Sequence, residues 1–177
     1  ETDTGPVLVF TRTKHRTERV AIALAQAGHR VASIQGNLSQ YRRQAALDGF
    51  KAGTYKVLVA TDIAARGIDV SCVSHVINYD MPDTADAYIH RIGRTGRIGR
   101  TGDAFTFVSA EDEPMVRSLE KLLKTPIERR SPPESRVLFR DGISPGLWRP
   151  RLSKTAASVI LRVDAIHLGK IRLKSRA

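Results

Sequence analysis

A chain of 177 residues has room for one full domain and an appendage but is short for two. Its hydrophobic share of 41% is globular rather than disordered, and no apolar run approaches the roughly 20 residues of a membrane span. No secretory signal opens it, and the single Cys72 excludes an internal disulfide and a cysteine zinc site, which fits a reducing, cytoplasmic setting. The formal charge of +11 suggests a polyanionic partner, but it is unevenly spread. Residues 1–123 carry 16 Lys/Arg against 14 Asp/Glu, whereas residues 124–177 carry 13 against 4. The front part is nearly neutral, so its function must come from placed residues rather than bulk charge.

In chain order, Val7 to Thr11 is a short apolar run of the kind that forms a strand buried on both faces. Thr17 to Ala27 has helical apolar spacing and is closed by Gly28. A strand is expected over Arg30 to Ile34, and then a helix capped by Ser39 and running through Phe50. Strands follow at Lys56 to Ala60 and His75 to Asn78, a helix capped by Thr84, a strand at Ala104 to Val108 and a last helix reaching Leu123. Strands alternating with helices of about ten residues predict a mostly parallel sheet covered by helices on both faces. In such sheets ligand-contacting residues gather beyond the strands' C-terminal ends. Thr11 to Lys14, Gln35 to Asn37 and Thr61 to Asp69 all fall there, so three polar loops are expected on one rim.

After Leu123 the pattern dissolves. Residues 1–123 are taken as the domain and residues 124–177 as a basic extension, poorly ordered by composition, with five of the eight prolines between Lys124 and Pro150. Ser158 to Val163 and Ile166 to Leu173 alternate apolar and basic residues; they could pair as a hairpin, dock on the domain or stay disordered. The tail's charge, with Phe139 and Trp148 interspersed, suggests non-specific RNA affinity; a merely solvated tail is the bland alternative.

Three segments carry chemistry. Tyr88-Ile-His-Arg-Ile-Gly-Arg-Thr-Gly-Arg97 spaces arginines three apart, with Gly93 and Gly96 arguing that a helix ends within it. Guanidinium groups are permanently charged planar forks suited to phosphate oxygens, and a pair of them can stabilise the charge that shifts in phosphoryl transfer. A solvated basic face, with Arg91 in an ion pair, is the competing reading. Val57 to Val70 delivers Thr61 and Asp62 at a strand end, then Arg66, Gly67 and Asp69. A threonine hydroxyl and a glycine amide can hold a nucleic-acid phosphate, and an aspartate can accept ribose hydroxyls or orient an arginine. An ordinary polar turn would read the same way. Gln35 to Gln44 places Gly36 where a backbone can approach closely, and Gln40 and Arg43 one turn apart at a helix start, a natural phosphate site or a plain capped surface helix.

Together these segments resemble the ordered motifs of superfamily 2 helicases, and in detail those of DEAD-box RNA helicases. The run His90-Arg-Ile-Gly-Arg-Thr-Gly-Arg97 matches that family's last motif without change, where other helicases usually begin with Gln. Thr61 to Asp69 matches the preceding motif, and Val7 to Thr13 the opening one. The resemblance covers roughly residues 6–123, and the ending Lys124-Thr-Pro-Ile-Glu-Arg-Arg is similar to the RhlE-type bacterial subgroup. Gln35 departs from it, since many relatives have His there.

The resemblance implies a C-terminal RecA-like domain of an ATP-dependent RNA helicase. Arg94 and Arg97 would be arginine fingers on ATP, with Gly67 and Asp69 also at the nucleotide. Thr13, Gly36, Gln40, Arg43, Thr61, Asp62 and Gly67 would line the RNA backbone without strong sequence preference, and His90 and Arg91 would couple the two sites and the partner domain. Neither a G-x-x-x-x-G-K-[ST] loop nor Asp-Glu-Ala-Asp occurs in these residues; the family's N-terminal RecA-like domain supplies both and holds Mg2+. The chain therefore reads as an excised or fragmentary half-enzyme, inactive alone, with a non-catalytic RNA- or protein-binding module as the alternative.

Overall fold

The computed structural model describes residues 5–65, 73–96, 102–131 and 159–164. Its elements are β1 (Val7–Thr11), α1 (Lys14–Gln26), β2 (Val31–Ile34), α2 (Gln40–Lys51), β3 (Val57–Thr61) and α3 (Asp62–Ala65). They continue with β4 (His75–Asn78), α4 (Ala85–Ile92), β5 (Asp103–Val108), α5 (Glu113–Leu123), β6 (Glu128–Arg130) and β7 (Val159–Asp164).

The strands form one seven-stranded sheet in the order β2-β3-β1-β4-β5-β7-β6. The first five are parallel, so their C-terminal ends share one rim, as the alternating pattern requires. Side chains alternate across a strand, and β1 shows the result. Val9 joins Val57 and Val59 under Val20, Ala21 and Leu24 of α1. Leu8 and Phe10 turn to the opposite face, where they meet Phe50 of α2, Tyr88, Ile89 and Ile92 of α4, and Val116 and Leu119 of α5. The expected three-layer RecA-like sandwich is thus present: among the described residues α1 covers one face, and α2, α4 and α5 with the short α3 cover the other.

Local signals explain most element ends. Ser39 and Thr84 accept backbone N–H bonds from Arg42 and Ala87 at 3.3 and 3.1 Å, capping α2 and α4 as predicted. Helix α1 starts earlier than its apolar spacing indicates, because Thr13 caps it through a 3.2 Å bond from Arg16 N. Gly93 closes α4, in line with the helix end expected at the glycines.

Two features differ from the sequence reading. Thr61 to Asp69 does not begin as a loop: Asp62–Ala65 makes one helical turn, capped by Thr61 Oγ1 accepting from Ala64 N at 3.4 Å. The sheet also draws on residues beyond Leu123. Strand β7 lies antiparallel to both β5 and β6, over six register pairs with β5 and three with β6. Its alternation buries Leu161 and Val163 in the main core, while Arg162 turns to Asp103 at 3.0 Å. For residues 159–164, docking is the outcome among the three alternatives. Trp148, Phe139 and Cys72 lie outside the described residues.

Candidate functional site

The rim at the C-terminal ends of the parallel strands collects the predicted residues. Thr13 follows β1, Gly36 follows β2, and Thr61 and Asp62 close β3. Across the sheet, α4 carries His90 and Arg91 to the same end. Gly67, Asp69 and Arg97 lie outside the described residues.

The strongest polar feature is the pair Arg91–Asp62. Arg91 donates from Nε to Asp62 Oδ1 at 2.7 Å and from Nη2 to Asp62 Oδ2 at 2.6 Å, a bidentate fork. Its Nη1 donates to the Asp80 carbonyl oxygen at 2.7 Å and to Asn78 Oδ1 at 3.3 Å. The guanidinium lies over the Phe10 ring, 5.1 Å from its centroid. The arginine is buried whereas the aspartate is partly open, with side-chain exposures of 3% and 40%. Arg91 is therefore in an ion pair, as the competing reading allowed, but it is buried rather than on a solvated face. Helix α4 ends at Ile92, so Arg94 leaves along a separate path, half-buried, with its backbone carbonyl accepting from Val73 N at 3.3 Å. His90 is exposed.

Helix α2 is tied to the same place. Arg43 Nη2 donates to the Ala64 carbonyl oxygen at 3.1 Å, and Nη1 to Gln40 Oε1 at 3.3 Å. Its Nε is buried without a hydrogen-bond partner. Gln40, Arg43, Thr61 and Asp62 thus converge, though Thr61 is buried and its hydroxyl serves the α3 cap. Gly36 is exposed, and a Cβ built there meets nothing within 4 Å, so packing within the chain does not demand glycine. Close approach by something outside the chain would.

Sequence reasoning missed Asp80 and Asn78. The Asp80 carboxylate accepts from Arg12 N at 2.8 Å and from Arg16 Nη1, pinning the β1–α1 turn with Thr13 to the end of β4. Arg12 reaches back to the Met81 carbonyl oxygen at 3.0 Å. Asp80 lies two residues past the end of β4 and so marks a strand-end loop on the rim, a signal open to the eye in the sequence.

A parallel sheet with arginines and polar turns on one rim is the build of a RecA-like domain of the helicase type. The helicase conserved C-terminal domain family matches residues 1–99. The DEAD-box ATP-dependent RNA helicase CshA of Bacillus subtilis is 47% identical over 126 residues, 71% of this chain and 26% of that protein. CshA of Geobacillus kaustophilus is 47% identical over the same length, 27% of that protein. The chain spans about a quarter of these relatives. Among solved structures, E. coli DEAD-box protein SrmB, bound to regulator of ribonuclease activity A, superposes with a TM-score of 0.67 at 40% identity, covering 71% of this chain and 74% of that one. The C-terminal domain of the DEAD-box protein Dbp5 gives 0.61 at 35%, covering 68% and 78%. The chain belongs to the helicase conserved C-terminal domain family, as the C-terminal domain of a DEAD-box RNA helicase.

Proposed function

We propose that this domain supplies one wall of an RNA-dependent ATPase: Arg94 and Arg97 as arginine fingers and half of an RNA-backbone track. The observation that carries the reading is the bidentate Arg91–Asp62 fork. It fastens the helix leading into Arg94 to the turn that carries Thr61 and Asp62, so nucleotide-side and RNA-side residues move as one body. Gly36, Gln40 and Arg43 extend the RNA side. Gln40 is exposed and Arg43 half-buried one helical turn on, so a phosphate oxygen would meet the open edge of this pair. Contacts of this kind go to phosphate and sugar, so binding would be sequence-independent. ATP with Mg2+ would lie between this domain and an N-terminal RecA-like domain, which holds the metal. We take the setting to be cytoplasmic from the single cysteine and the family resemblance. No helix among the described residues is long and apolar enough to cross a membrane.

The test is ATP turnover, with and without single-stranded RNA, by this chain alone and mixed with a separately expressed N-terminal domain. Inactivity alone and RNA-stimulated turnover on mixing, abolished by Arg94→Ala or Arg97→Ala, is the expected result. Turnover by the chain alone, or none in a mixture shown to associate, would overturn it, the latter in favour of a non-catalytic binding module.

A further inference from the structure

One row of side chains runs across the helix-rich face of the sheet at the level of the rim. It reads Ile34, Ala60, Phe10, Asn78, Thr106 and Leu161, each opposite the next in register. Four members are apolar. The polar two, Asn78 and Thr106, are fully buried, beneath Tyr88 and Arg91 of α4.

Their hydrogen bonds can run in only one direction. An arginine has donors and no acceptor, so the Asn78 amide must turn its oxygen to Arg91 Nη1, as found at 3.3 Å. Its Nδ2 then faces Thr106 Oγ1 and donates to it at 3.0 Å. Thr106 in turn donates to the Tyr88 hydroxyl at 3.3 Å. The result is a buried chain from Tyr88 through Thr106 and Asn78 to Arg91, ending on Asp62 at the rim. Buried polar groups of this kind are weak contributors to stability, since apolar residues of the same shape often do as well. What they contribute is a defined orientation. Arg91 is held from three directions: the Asp80 carbonyl, the Phe10 ring and Asn78 Oδ1.

We propose that Asn78 is a positioning residue: it sets the bearing of the Arg91 fork and thereby aims the Asp62 carboxylate at the RNA. Thr106 and Tyr88 fix the amide in the orientation this needs. Each Asp62 oxygen accepts one arginine bond and keeps acceptor capacity for a ribose hydroxyl, and the fork decides where that capacity points. The proposal rests on the RNA-track reading above and names how the track is aligned.

The experiment is fluorescence anisotropy of labelled single-stranded oligouridine with the full chain, at a temperature where urea titration shows every variant folded. Asp62→Asn removes the aimed carboxylate, a charge-assisted bond, and is expected to weaken binding about tenfold. Asn78→Leu, with the same branching but without the acceptor, is expected to weaken it about threefold or more in the parent. On the Asp62→Asn background the same change is expected to do almost nothing, the signature of action through Asp62. Asn78→Asp keeps an acceptor for Arg91 and should hold near-parental affinity. If Asn78→Leu does not fold, Thr106→Val takes its place: it frees the amide while leaving every Arg91 acceptor, and the same Asp62-dependent loss is expected. Equal losses on both backgrounds, or none in the parent, would overturn the positioning role. Should Gly36→Val and Asp62→Asn both leave RNA affinity unchanged, the RNA-track reading itself falls, a result distinct from the first.

Discussion

The Arg91–Asp62 pair makes an asymmetric prediction about stability. Deleting the aspartate leaves a permanent cation with 3% side-chain exposure that no proton shift can neutralise and that only water entering at the half-open Asp62 position can solvate. Removing one partner of a fully buried pair costs about 3–5 kcal/mol, and with this site open on the aspartate side the lower end, about 3 kcal/mol, is expected. Replacing Arg91 with methionine instead leaves a carboxylate with 40% exposure, which rehydrates in place. The remaining penalty is the Asn78 oxygen, fully buried and now unpaired, at about 1–3 kcal/mol. Adding Arg91→Met to Asp62→Ala should therefore recover about 1–2 kcal/mol, because it removes the stranded charge. Urea unfolding of the parent, both single variants and the double variant measures this directly. A double variant no more stable than Asp62→Ala alone would refute the reasoning, since it would mean the cation finds other compensation.

Three further outcomes follow from other parts of the fold. A Cβ at Gly102 would fall on Thr95 Oγ1 and sit 3.0 Å from both Gly96 N and the Ser74 carbonyl oxygen, so Gly102→Ala should cost about 1–3 kcal/mol in urea unfolding. Leu161 is 1% exposed in β7, and Leu161→Ala should cost about 2–5 kcal/mol; a loss below about 1 kcal/mol would mean the strand contributes nothing to the sheet. Burial pushes the Tyr88 hydroxyl above its ordinary value, with the Thr106 bond opposing more weakly. The unfolded chain then releases this proton first, so stability is held below about pH 10 and falls as pH rises past it. Tyr88→Phe should flatten that alkaline loss in thermal melts at pH 9 to 11.

Much of the fold was written in local signals. The apolar runs of β1 and β3, and Ser39 and Thr84 as caps, need only neighbours in sequence to declare themselves. The start of α1 did not, because Lys14, His15 and Arg16 carry no apolar period and only the Thr13 cap marks it. Strand β7 was one alternative among three, since pairing with β5 depends on a partner more than fifty residues away. In the candidate site the residue types on the rim were legible and their engagements were not. Nothing in the sequence says that Arg91 turns inward to Asp62, 29 positions earlier, or that Thr61 gives its hydroxyl to a helix cap. Asn78 closes an apolar strand and reads as a strand-end residue. Its importance exists only once β4, β5 and α4 are assembled around it.

Strand β7 has one more consequence. Arg130 and Ile160 stand opposite each other in register, one strand spacing apart. Widening a closed excursion is cheap: each doubling of its length costs about 0.6 kcal/mol in chain entropy. The register of Arg130 and Ile160 thus sets two chain positions side by side at the edge of the sheet, and length inserted between paired positions costs little.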